Sequence, residues 1–360
     1  MRTFNVRVAA VSLAFAALAF AGCEKETELR IYAWSDYFSP AVIKRFEKAH
    51  GCRVAIDTFD SNENMYARLK AEGNPYDLIM PSSYYVEILA NDGMIVALDH
   101  AKMPNVKKNF DPAFASLMRD ESFAYGVPYA VTCTGFCYDK DKVPQGADIE
   151  SWSVLSNPLL KGRVTLLNDI REVIGAGLMA LGYSVNSVDP AEIEAAANEV
   201  LKWKQNVRKF DAESYKTEVP AGTTWVALGY STDTIQVILG DETEECAPRD
   251  DIGFALPKEG FSIACDELVL SAHAQQADLA YAFLDMLYTA DAAKQNMEYI
   301  LGPCPVKPGI DALDDGFRKL IVLPPEKLAY GQVLKTLSLT PGVKALYDEA
   351  WGKIKAAKVK

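Results

Sequence analysis

The stretch Leu29-Arg30-Ile31-Tyr32-Ala33-Trp34-Ser35-Asp36-Tyr37-Phe38-Ser39-Pro40 decides how the chain is read. Its first five residues make a short strand, rich in apolar and aromatic side chains. Ser39-Pro40 supplies a helix N-cap followed by a proline at the first helical position, where the missing N–H costs nothing. Val42, Ile43, Phe46 and Ala49 follow at helical spacing, and Gly51 stops the helix. Outward from there, a second strand spans Arg53 to Thr58, and Ser61 leads into a helix from Asn62 to Ala71. A third strand, Tyr76 to Met80, runs into a helix around Tyr85 to Ala90. This β-α-β-α-β order predicts a parallel sheet with helices on its faces.

The same grammar restarts after Tyr129. Strands are expected at Arg163 to Leu167, Trp225 to Gly229 and Ile252 to Leu256. Helices are expected at Ile170 to Leu181, Ala191 to Trp203, Thr232 to Leu239 and, closing the chain, Pro341 to Lys355. The apolar run Ala130 to Cys137 reads as a strand passing between two α/β lobes, and a second crossing is expected near Pro257 to Leu268. Residues 29–131 and about 262–304 then make lobe I; about 137–258 and 307–360 make lobe II.

The 360 residues carry 49% hydrophobic and 24% charged side chains, a globular composition that excludes a disordered chain or a multi-span membrane protein. The formal net charge of -12 makes nucleic acid and anionic lipid poor partners and favours cationic ones. Arg2 and Arg7 precede the mostly apolar run Val8 to Phe20, which is too short to span a bilayer, so residues 1–23 read as an export signal. Phe20-Ala21-Gly22-Cys23 resembles a bacterial lipobox, in which Cys23 is lipidated, and polar residues 24–28 serve as a tether. The expected location is the periplasm or the outer face of the cell membrane. Cys52, Cys133, Cys137, Cys246, Cys265 and Cys304 are read as mostly buried, with room for one or two bridges. With three scattered histidines, no zinc site and no metal or other cofactor is expected.

Enzyme signatures fail in turn. There is no GxGxxG and no GxxxxGK[ST], and Gly229-Tyr230-Ser231-Thr232-Asp233 lacks the second glycine of a nucleophile elbow. Aromatic and acidic residues instead recur after predicted strands: Trp34-Ser35-Asp36-Tyr37, Ser82-Ser83-Tyr84-Tyr85, Asp169 with Glu172, and Tyr230 with Asp233. Singly, each is an ordinary helix cap or packing residue. Together they occupy the carboxyl ends of strands, where open α/β sheets bind ligands. Carboxylates flanked by aromatic rings suit a small molecule with cationic ends and an apolar middle. Four buried methylenes supply about 3 kcal/mol at ~0.8 each, whereas micromolar binding needs about 8. Charge-assisted hydrogen bonds, roughly 1.5–3 kcal/mol each, must supply the rest, so several carboxylates are needed.

These residues resemble a known family. Ile31 to Tyr37, Ser61 to Tyr66, Tyr76 to Val86, Asp169 to Val173 and Leu256 to Gly260 are similar to blocks of the spermidine/putrescine-binding proteins of polyamine ABC transporters. The resemblance runs in order through the chain beyond Cys23. It implies a monomeric two-lobed receptor of the periplasmic-binding-protein fold that closes on a polyamine and hands it to a permease with its ATPase. It further implies that Trp34 and Tyr37 line the hydrocarbon chain, that Ser35 and Ser82 bond ammonium groups with Tyr84 alongside, and that Asp169 and Glu172 are carboxylate ligands. Asp266 matches an acidic ligand and Tyr230 a stacking tryptophan, while Asp36 and Asp233 fit the putrescine-preferring branch. Ala264 stands where the family has a stacking ring. The alternatives are a receptor for another cationic solute or a metal chelate and, in a different class, a secreted two-lobed hydrolase.

Overall fold

The computed structural model describes residues 27–358 apart from 60, 121, 241–247 and 338–340. The export signal, Cys23, most of the tether and Cys246 lie outside the described residues. Alternation organises the first element. In β1 (Glu28–Trp34), Leu29, Ile31 and Ala33 enter one core while Tyr32 enters a smaller one on the opposite sheet face. Helix α1 (Pro40–His50) starts at its proline and ends on Gly51, whose φ of 60° closes the last turn. β2 (Arg53–Phe59), α2 (Asn62–Glu72), β3 (Leu78–Ile79) and α3 (Ser83–Asn91) complete the opening unit. β3 is shorter than expected, because only those two residues pair with β1. After α4 (Pro104–Asn109) comes the long strand β4 (Gly126–Asp139).

The second half brings β5 (Val164–Leu166), α5 (Ile170–Ala180), α6 (Pro190–Trp203), β6 (Val207–Phe210) and α7 (Tyr215–Glu218). It continues with β7 (Val226–Tyr230), α8 (Ser231–Leu239) and β8 (Ile252–Ala255). The chain returns on β9 (Phe261–Leu270) and then forms α9 (Ala277–Leu287), α10 (Ala290–Ile300), α11 (Lys307–Asp311), α12 (Asp315–Ile321) and α13 (Pro325–Leu328). β10 (Gly331–Val333) and α14 (Pro341–Ala356) finish it.

The strand order is β2-β1-β3-β9-β4-β7-β5-β6, with β10 beside β9 and β8 beside β4. Parallel pairing holds within β2-β1-β3, within β7-β5-β6 and between β10 and β9, while β4 runs antiparallel to β7, β8 and β9, and β9 antiparallel to β3. The two lobes share β4. Its first half pairs with β9, its second half with β7 and β8. Val131 and Cys133 belong to the first core, Phe136 and Cys137 to the second.

One boundary moves. Residues 307–360 were expected in lobe II, yet Val306, Ile310, Leu313 and Ile321 pack in the first core, and the second core resumes only at Leu334. α11 packs on α10 and α12 reaches α8, so the third passage between lobes, expected near residues 304–307, comes instead near β10. Cys133, Cys137, Cys265 and Cys304 are buried free thiols, so burial holds for them but bridging does not. Among the described residues, no helix is long and apolar enough to cross a membrane.

Candidate functional site

β1, β3, β5 and β7 all end at one place. A cavity of about 800 Å³ opens between the lobes there, lined by Trp34, Ser35, Asp36, Tyr37, Ser82, Tyr84, Asp169, Glu172, Tyr230, Asp233 and Asp266. The eleven side chains named from sequence thus line a single cavity. Asp36 turns the chain out of β1 with φ 58°, a left-handed conformation that aspartate tolerates better than most residues. Trp34 packs on Phe59 with ring centroids 4.5 Å apart.

Asp266 holds the middle. It is buried, and its carboxylate accepts from the Tyr37 hydroxyl at 2.8 Å and the Ser82 hydroxyl at 2.7 Å. Burial pushes its pKa up to about 6, against the opposing pull of Ser82 and Tyr37. Asn62, which opens α2 behind β2, fixes the loop around Ser82. Its amide oxygen accepts from the Ser82 N–H at 3.0 Å and its amide nitrogen donates to the Tyr84 hydroxyl at 3.0 Å.

Across the cavity, Asp169 caps α5, accepting from the N–H groups of Arg171 at 2.8 Å and Glu172 at 3.0 Å. Glu172, one turn on, accepts from the Ser262 hydroxyl on β9. Burial raises the pKa of both carboxyls, and the Asp169 charge raises Glu172 further. The Arg171 guanidinium lies 5.4 Å from the Tyr84 ring centre and donates to the Lys335 carbonyl at 3.1 Å, so its charge joins both lobes behind the site.

Asp233 sits in the first turn of α8, where its Oδ2 accepts from the Tyr215 hydroxyl at 2.7 Å. The same hydroxyl accepts from the Tyr230 N–H at 3.0 Å. Tyr215 comes this close only because Gly229 has no side chain: a Cβ there would meet the ring at 2.5 Å. Burial raises the Asp233 pKa, while Lys216 opposes the shift.

Sequence reasoning missed Asn62, Glu213, Lys216 and Arg68, all of which line the cavity. Asn62 follows a strand that had been read correctly, so the strand-end rule would have found it. Glu213 and Lys216 follow β6, whose Val207-Arg208-Lys209-Phe210 gives too short an apolar pattern to be recognised. Tyr299 and Ala264 also face the cavity. No group of three His, Cys, Asp or Glu side chains suited to a metal ion exists among the described residues.

Comparison with known proteins agrees over nearly the full length. The chain is 30% identical to the putrescine/cadaverine-binding protein of Pseudomonas aeruginosa, covering 91% of this chain and 93% of that one. It is 33% identical to the spermidine/putrescine-binding periplasmic protein of Escherichia coli over 79% of each. The TpPotD lipoprotein of Treponema pallidum superposes with a TM-score of 0.79 at 26% identity, covering 91% of this chain and 99% of that one. Residues 41–320 match one family throughout, and the chain belongs to the bacterial extracellular solute-binding proteins.

Proposed function

We propose that this protein is an extracytoplasmic polyamine receptor that captures its ligand by closing two lobes around it and presents it to an ABC transporter. One observation carries the reading. The cavity wall holds six carboxylates, Asp36, Asp169, Glu172, Glu213, Asp233 and Asp266, against the two cations Arg68 and Lys216, and both lobes contribute. A wall with four more negative than positive side chains, lined besides by Trp34, Tyr37, Tyr84 and Tyr230, matches a flexible alkyl chain with ammonium ends. Buried carboxylates whose charge is costly alone become favourable when a ligand brings the counter-charge. In this reading Trp34 and Tyr37 flank the methylenes, Ser82 and Asp266 take one ammonium, and Asp169 and Glu172 serve the remaining charge.

The relatives named for putrescine, cadaverine and spermidine support the class. Calorimetric titration of the protein with putrescine, spermidine, arginine and maltose tests it. Heat with a polyamine at micromolar protein, and none with maltose, is expected; silence with both polyamines would overturn the proposal. The lipid anchor at Cys23 belongs to the same reading. Cys23→Ser should release the protein from the membrane fraction of its host, and a wild type already found free in the soluble fraction would refute the anchor.

A further inference from the structure

Lys216, one of the two cations of the cavity wall, works against a cationic ligand. It leaves α7 beside Tyr215, whose hydroxyl holds Asp233, and its side chain is 30% exposed. Its ammonium pairs with Glu213 at 2.7 Å and lies within electrostatic reach of both Asp233 and Asp36. Burial disfavours that charge, yet Asp233, the Glu213 hydrogen bond and Asp36 together hold the lysine more firmly protonated than usual. Asp36 comes from lobe I and Asp233 from lobe II, so this lysine stands where the two lobes' acids face each other.

We infer that Lys216 is a specificity residue: its ammonium supplies one of the positive charges this end of the cleft requires, so the ligand brings one fewer and diamines are favoured over triamines. The inference rests on the polyamine reading above. A diamine places one ammonium at Asp266 and the other near Asp169 and Glu172, leaving Asp36 and Asp233 to Lys216. A triamine must bring a further ammonium against the lysine or displace it from Asp233 and Asp36. Like charges this close in a partly dry cleft repel strongly, and salt weakens the repulsion.

Titration of wild type, Lys216→Met and Lys216→Arg with putrescine and spermidine tests this. Wild type should bind the diamine more tightly. Lys216→Met should improve triamine affinity relative to diamine by tenfold or more, with the gain shrinking at high salt, and Lys216→Arg should keep the wild-type ratio. An unchanged ratio in Lys216→Met, or an equal change in Lys216→Arg, would overturn the inference while leaving the polyamine reading intact. Failure of wild type to bind either polyamine would overturn both.

Discussion

At the residue scale the site is built from groups held in states they would not adopt in water. Asp266 is the clearest case. Its folded pKa of about 6 exceeds the ordinary aspartate value, so the folded protein binds more protons than the unfolded chain between roughly pH 4 and 6. The contribution of Asp266 to stability is present below that window and is lost as pH rises through it. A ligand ammonium favours the ionised form, so polyamine affinity should fall as pH drops through about 6. Binding near pH 6 should release protons, measurable as a dependence of calorimetric heat on the buffer's ionisation enthalpy; buffer-independent heat would refute the coupling. Asp266→Asn removes the buried charge but leaves a side chain of the same shape for Tyr37 and Ser82. At pH 7.5 it should melt no lower than wild type while losing tenfold or more in polyamine affinity. A large fall in melting temperature would show that the carboxylate is structural instead.

At the scale of elements, one buried lysine helps to dock the final helix. Lys204 ends α6 in a buried position, and its ammonium donates to the carbonyls of Ile354 and, at 2.9 Å, Lys355 at the end of α14. Burial depresses its pKa, with Lys355 adding repulsion, yet the open carbonyls of a helix end are where a cation belongs. Lys204→Met should cost about 1–3 kcal/mol in urea denaturation through the lost charged hydrogen bonds. An unchanged midpoint would mean that the packing of Tyr347, Ala350 and Ile354, with the Tyr347 hydroxyl donating to the Ser187 carbonyl at 2.9 Å, suffices to hold α14.

Elements also set how much could be read in advance. Strands with a full apolar pattern, such as β1 and β7, announced themselves, and with them the residues at their ends. Asp169 and Glu172 were legible because a cap and its helix follow a strand directly. Asp266 lies within an antiparallel strand, where no local signal marks a cavity-facing carboxylate, and only family resemblance reached it. Lys216 was hidden because a four-residue strand with two apolar positions gives no periodicity to detect. The third passage was misplaced for another reason. β10 spans three half-buried residues, and its place depends on a partner some seventy positions earlier, which is a tertiary fact.

At the scale of the whole molecule, the site is divided between two bodies joined through β4, β9 and β10. Trp34, Asp36, Ser82 and Asp266 ride on the first lobe's strands or on β9, while Asp169, Glu172, Tyr230 and Asp233 ride on the second. A ligand that touches both sets favours a closed arrangement by its differential affinity for that state. Small-angle scattering should therefore show the radius of gyration shrinking when polyamine is added, and not when maltose is added. A radius that stays constant at saturating polyamine would show that capture needs no closure.

The β4, β9 and β10 passages lie side by side as paired strands across the waist. Two separate threads would let one half of the molecule twist freely over the other. Three laced together behave as a leaf spring, supple to bending and stiff to torsion. Each swing must then follow nearly the same arc, so the acids of one half return to the same places opposite the other. The aim of the jaws is stored in the waist, far from any side chain that a polyamine would touch.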